Sequence, residues 1–266
     1  MNELFTIFIL TFIIHVISTL SYSVRLVGIR TGRIAISFAL FNIFVLISRT
    51  SNSFLAPLLA KKIEQDILLT QYVSVESDFR LLIISASIAT LVASFFIPTF
   101  QRLFSRLVMS FNVKRSIPKV LIHGFSKAGV KQIKQDLNIP SSKNIIQLVK
   151  IKDLPWKIAI LNILTVSFFT IGVFSSLYAG YINPEFRMTA STLSSIVNGI
   201  ATILLFIFID PFLSALTDDV VTGSESESYF RSCVVLMVAS RFVGTLFGQI
   251  LFLPAAKLIV IVSKII

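Results

Sequence analysis

A single cysteine, Cys233, excludes a disulfide scaffold, a Cys-rich zinc site and a CxxC redox pair. Two histidines, His15 and His123, are too few to assemble a metal site. Charge is also sparse: 14% of residues are charged, against roughly 25% in soluble domains, so an ordinary cytosolic protein is excluded. Acidic residues are scarcest, 13 against 24 Lys and Arg, leaving a net charge of +11. Such an excess often marks nucleic-acid binding, but 55% of this 266-residue chain is hydrophobic and no nucleic-acid partner is expected. The 25 phenylalanines and long apolar runs exclude disorder. An all-α polytopic membrane protein remains.

A bilayer core about 30 Å thick requires roughly 20 apolar residues of helix. Six stretches qualify: Leu4 to Val24, Ile34 to Phe54, Leu81 to Phe104, Ile158 to Tyr181, Ser191 to Leu216 and Phe230 to Leu253. The first has no basic residues before it and no small-x-small cleavage site, so it is expected to be a retained helix. After the sixth, Pro254 leaves three outcomes for the apolar tail: a kinked continuation, a span, or a segment along the interface. The chain thus divides into helices one to three (1–104), a basic loop (105–157) and helices four to six with the tail (158–266).

Orientation follows from Lys and Arg in the loops. Between Arg102 and Lys157 lie twelve of the 24 basic residues, opposed only by Asp136 and Asp153, so this loop is placed in the cytoplasm. Arg25, Arg30 and Arg33 fall on the same side, the mixed segment from Lys61 to Arg80 faces out, and both termini face out. Within the loop, Gly124 to Lys131 has the glycine spacing of a phosphate loop, but Val130 stands where Lys is required. Lys127, Lys131 and Lys134 with Val130, Ile133 and Leu137 fit a short basic amphipathic helix on anionic headgroups, or simply a topology signal.

The two halves carry short matches. Ser77-Asp-Phe-Arg80 opens the third span and Ser228-Tyr-Phe-Arg231 the sixth, and Ala56-Pro-Leu-Leu59 is echoed by Asp210-Pro-Phe-Leu213. Halves of three spans must insert with opposite orientation, so these matches fit a 3+3 inverted repeat, or chance similarity among apolar helices.

Ionisable groups at mid-bilayer cost about 3 kcal/mol on insertion scales and call for a function. Arg241 lies near the middle of the sixth span, Asp210 late in the fifth, and Arg49 late in the second, toward the outer face. Asp210 is expected to pair with Arg241, with Arg49 free to reach the outer headgroups. His15 reads as a packed, hydrogen-bonded residue. The guanidinium fork binds phosphate and diphosphate bidentately and stays charged when desolvated. Arg25, Arg30 and Arg33 at the rim, Arg241 within and Arg49 beyond would form a sparse ladder for an anionic lipid headgroup. No nucleophile–base–acid set or paired intramembrane carboxylates occur, so a transporter is expected rather than an enzyme, with no cofactor.

Three segments carry a family resemblance: Arg25-Leu-Val-Gly-Ile-Arg-Thr-Gly-Arg33, Phe41-Asn-Ile-Phe-Val-Leu-Ile-Ser-Arg-Thr-Ser-Asn52 and Tyr181-Ile-Asn-Pro-Glu-Phe-Arg187. With Asp210-Pro211 and Ala239-Ser-Arg-Phe-Val-Gly244, they resemble the Amj family of alternate lipid II flippases across essentially the whole chain. The resemblance implies a multi-pass protein of the bacterial plasma membrane. It would move lipid II, an undecaprenyl diphosphate bearing the disaccharide-pentapeptide of peptidoglycan, from the inner to the outer leaflet. Its partners would be lipid II and bilayer lipids, with the oligomeric state open. No site residues come with the resemblance, so the arginines rest on their chemistry alone, and Asp210 is the candidate for proton coupling. The competing readings are a transporter of another anionic lipid or small solute, and a non-transporting partner of the cell-wall machinery.

Overall fold

The computed structural model describes residues 3–68, 75–114 and 154–266. Among them the chain is helical throughout, with six segments long and apolar enough to cross a membrane. In chain order these are α1 (Glu3–Thr31), α2 (Ile34–Leu68), α3 (Val75–Lys114), α4 (Trp156–Ile182), a broken fifth segment, and α8 (Glu227–Ile265). The fifth comprises a short turn at Pro184–Phe186, α5 (Arg187–Thr192), α6 (Ser194–Leu204), a π turn at Leu205–Ile209 and α7 (Asp210–Thr222). The amphipathic stretch at 127–137 and the glycine-spaced segment 124–131 lie outside the described residues.

The helices overrun the apolar spans. α2 continues through Pro57 to Leu68, α3 through Pro98 to Lys114, and α8 through Pro254 to Ile265. Proline in a helix removes one donor, which neighbouring helices tolerate in a membrane protein. The tail after Pro254 is therefore a continuation of the last helix. Large apolar side chains such as Phe5, Leu46, Phe95, Ile160, Phe206 and Ile250 are exposed on the outside of the bundle, where a soluble protein would place polar groups.

Each half has the same internal pairing. α1 packs closely against both α2 and α3, which scarcely touch each other; α4 likewise lies between α6 and α8. Between the halves, α3 meets α8, and lighter contacts join α1 to α8, α3 to α4, α1 to α7 and α2 to α4. Exchanging α1 with α4, α2 with the fifth segment, and α3 with α8 reproduces this pattern.

Small residues hold α4 against α8, as expected where lipid supplies no hydrophobic drive between helices. The Ser167 hydroxyl donates to the Gly244 carbonyl at 2.8 Å. The Asn162 amide donates to the Met237 carbonyl at 3.1 Å and to Ser240 Oγ at 2.8 Å, while its Oδ1 accepts from the Tyr22 hydroxyl of α1 at 2.8 Å. Stacked and edge-on phenylalanines complete two clusters, Phe79–Phe174–Phe252 and Phe41–Phe100–Phe104.

Candidate functional site

The first arginine group is set by a turn. Gly32 has φ +63°, a left-handed conformation that closes α1 without a Cβ penalty. A Cβ on Gly28 would lie 2.9 Å from the Ile34 Cα, so glycine there lets α2 start against α1. This compact corner directs Arg25 and Arg30 toward the second half of the chain, whereas Arg33 is exposed beyond it.

Arg25 contacts Asp210 at 3.4 Å, donates to Ser214 Oγ at 3.1 Å, and lies over the Phe38 ring at 5.0 Å. Arg30 Nε donates to Glu227 at 2.8 Å and its Nη1 to Gln101 at 3.2 Å. These contacts join α1 to α3, α7 and α8 at one end of the bundle, called here the arginine end. The expected pairing of Asp210 with Arg241 is therefore overturned: Asp210 pairs with Arg25. The π turn and Pro211 start a new helix at Asp210, and a carboxylate suits that first turn. Arg241 instead faces His15, ten residues before Arg25 on α1, which is about 15 Å along the helix axis.

The exposures of the Arg25–Asp210 pair, 15% and 39%, set its strength. A solvent-screened pair of this kind contributes up to about 1 kcal/mol. Arg25 adds its contact with Phe38 and the packing of its stem. Asp210→Asn should therefore destabilise the purified protein by less than about 1 kcal/mol, and Arg25→Ala by more. Thermal melts in detergent check this order, and equal losses would make the ion pair the dominant contact.

At mid-height the chemistry changes. Arg241 lies 14 residues into α8, about 21 Å from Glu227, and is 9% exposed. Its Nη2 stands 3.4 Å from His15 Nδ1. A guanidinium only donates, so Nδ1 accepts and His15 is neutral with its proton on Nε2. Arg241 Nε is buried with no hydrogen-bond partner, and among the described residues no carboxylate pairs with this guanidinium. The packed, hydrogen-bonded reading of His15 holds, and its partner is the buried cation.

Beside His15 is a cavity of about 30 Å³ lined by Thr11, Asn52 and Thr170 together with apolar side chains of α1, α2 and α4. That is room for water and not for a sugar headgroup. Since α2 continues to Leu68, Arg49 sits about 22 Å from Ile34 and about 28 Å from Leu68 along the helix, near its middle. It is exposed there with Thr50, Asn52 and Ser53, a polar strip on α2.

The opposite end is tied by a second set of contacts. Lys62 bridges Asp66 at 2.8 Å and Asp78 at 2.7 Å, joining α2 to α3. Arg80 pairs with Glu76 at 2.8 Å, and Gln249 Nε2 donates to the Arg80 carbonyl at 2.8 Å, joining α3 to α8. Sequence reasoning treated this segment only as mixed charge. The i,i+4 spacings of Lys62–Asp66 and Glu76–Arg80 were the available signal, hidden because the helices were ended too early. Arg102 and Arg106 were counted only as topology signals for the same reason.

The family described as Amj, alternate to MurJ, matches residues 10–263 of the chain. The lipid II flippase Amj of Bacillus subtilis (strain 168) is 38% identical over 264 residues, covering 99% of this chain and 97% of that protein. No solved structure matches.

Proposed function

The chain belongs to the Amj family, and from that premise we propose that it is a lipid II flippase, a multi-pass membrane transporter without a catalytic centre. The observation that carries the activity is 38% identity with a flippase over 99% of this chain and 97% of that relative. Lipid II and the surrounding bilayer lipids are its partners.

The large basic loop faces the cytoplasm by the excess of Lys and Arg, which puts the arginine end inside. Arg30, joined by Arg25 and Arg33 once the helix ends part, meets the diphosphate there. The headgroup then crosses between α2 and α4, past the polar strip of Arg49 and Asn52 toward Arg241, while the prenyl tail stays in lipid. Arg241 suits this role because no carboxylate pairs with its guanidinium among the described residues and the side chain is buried. The corresponding pairing within the two halves supports an inverted repeat, the architecture on which alternating access is built. Contacts at the two ends act as gates: Arg25–Asp210 must open for loading, Arg80–Gln249 for release. Asp210 thus serves as a latch on Arg25.

The test depletes a cell of its principal lipid II flippase, supplies this chain alone, and exposes the cells to an enzyme that cleaves only outward-facing lipid II. Cleavage that depends on the chain is the expected result. Arg30→Ala should lower that cleavage at unchanged protein level. Protected lipid II despite normal membrane insertion would overturn the flippase reading in favour of solute transport or scaffolding.

A further inference from the structure

We propose that a cleft between α1 and the cytoplasmic half of α3 is the docking site for a lipid-linked diphosphate, with Arg30, Arg102 and Arg106 as its ligands. The proposal deepens the flippase reading by locating where the substrate is first held, and it assigns a role to two arginines outside the ladder described above.

The cleft has a volume of about 420 Å³ and is lined by Arg30, Gln101, Arg102, Ser105 and Arg106. That volume lies in the range of small-molecule sites. Every lining residue can donate a hydrogen bond, three are cations, and none is a carboxylate. Arg102 and Arg106 are one helical turn apart on α3, so both line the same opening. Arg30 is oriented beforehand. Glu227 holds its Nε and Gln101 its Nη1, which leaves the two N–H groups of Nη2 for a ligand. A held guanidinium loses little freedom on binding, and its planar fork matches phosphate oxygens.

The surface below the cleft argues for a lipid instead of a free anion. On α3, Leu81, Ile84, Ile88, Leu91 and Phe95 repeat at helical spacing and are all exposed, Phe95 by 51%. Arg102 follows seven residues after Phe95 and Arg106 four residues later, so both continue the same face of the helix. An apolar stripe leading into an arginine cleft fits an amphiphile whose phosphates enter the cleft while its chain lies along α3.

Purified full-length protein in phosphatidylcholine nanodiscs, titrated with farnesyl diphosphate, tests the site without requiring transport. Binding should weaken at least tenfold in Arg102→Gln/Arg106→Gln and stay unchanged in Lys157→Gln, an exposed cation on α4. Inorganic diphosphate should bind at least tenfold more weakly than the prenyl form. Phosphatidylglycerol added to the nanodiscs should compete poorly. Thermal melts confirm that each variant is folded, which exposed positions favour. Equal binding by the double variant overturns the site. Equal binding of inorganic diphosphate overturns the lipid assignment, and efficient competition by phosphatidylglycerol overturns selectivity for a diphosphate. Flipping in cells without binding here sinks the cleft alone. Binding here in a chain that fails to flip lipid II sinks the flippase reading alone.

Discussion

Arg241→Gln should reduce lipid II flipping at least tenfold while leaving the protein as stable as before, or more stable. The two halves of this expectation have one origin. A guanidinium at mid-bilayer costs about 3 kcal/mol on insertion scales, and a carboxylate partner would offset much of that. Among the described residues its polar partner is an imidazole nitrogen at 3.4 Å, and Nε has none. The group is thus retained against stability, the pattern of a residue kept for what it binds. Glutamine keeps a donor for His15 Nδ1 and removes the charge, so the packing around it persists. Arg241→Lys keeps the charge without the planar fork and should retain an intermediate rate. The outward-facing lipid II assay and a thermal melt are run on the same preparations. A variant that melts several degrees lower would make Arg241 a structural residue, and one that flips normally would remove it from the path.

The same change, glycine to alanine, should have opposite effects at two positions. At Gly244 a Cβ would lie 2.8 Å from the Ile163 carbonyl oxygen and 2.9 Å from the Val166 Cβ. Neither is the flexible end of a side chain, so α4 and α8 must part and the Ser167–Gly244 hydrogen bond of 2.8 Å must lengthen. Overpacking of this kind costs about 1–3 kcal/mol. At Gly199 in α6 a Cβ meets nothing within 4 Å, and alanine there gains about 0.5–1 kcal/mol of helix propensity. The melting temperature should fall by several degrees for Gly244→Ala and hold or rise for Gly199→Ala. Equal stability of the two variants would mean that the close approach of α4 and α8 does not support the second half.

Much of this protein was legible in the linear chain, for a specific reason. A bilayer demands about 20 apolar residues per helix, so composition alone reveals each span. The Arg25 to Arg33 segment showed its cluster, and Arg241 drew attention because charge is costly between Ala239 and Val243. Helix ends were less visible. Hydropathy marks where lipid begins, whereas backbone hydrogen bonding continues into polar sequence, so α2 runs on to Leu68.

What the sequence by itself determined is the set of apolar spans, the basic side of the membrane, and the residues whose charge requires an explanation. These follow from transfer energies, which belong to each residue and its neighbours along the chain. Only the tertiary structure decided the partners. It placed Asp210 against Arg25, left Arg241 with His15, and joined Arg30 to Arg102 and Arg106 in one cleft. Such pairings depend on the rotation and height of one helix against another. Those are set by glycine and serine contacts between helices distant in sequence, where a single Cβ decides how closely two backbones approach.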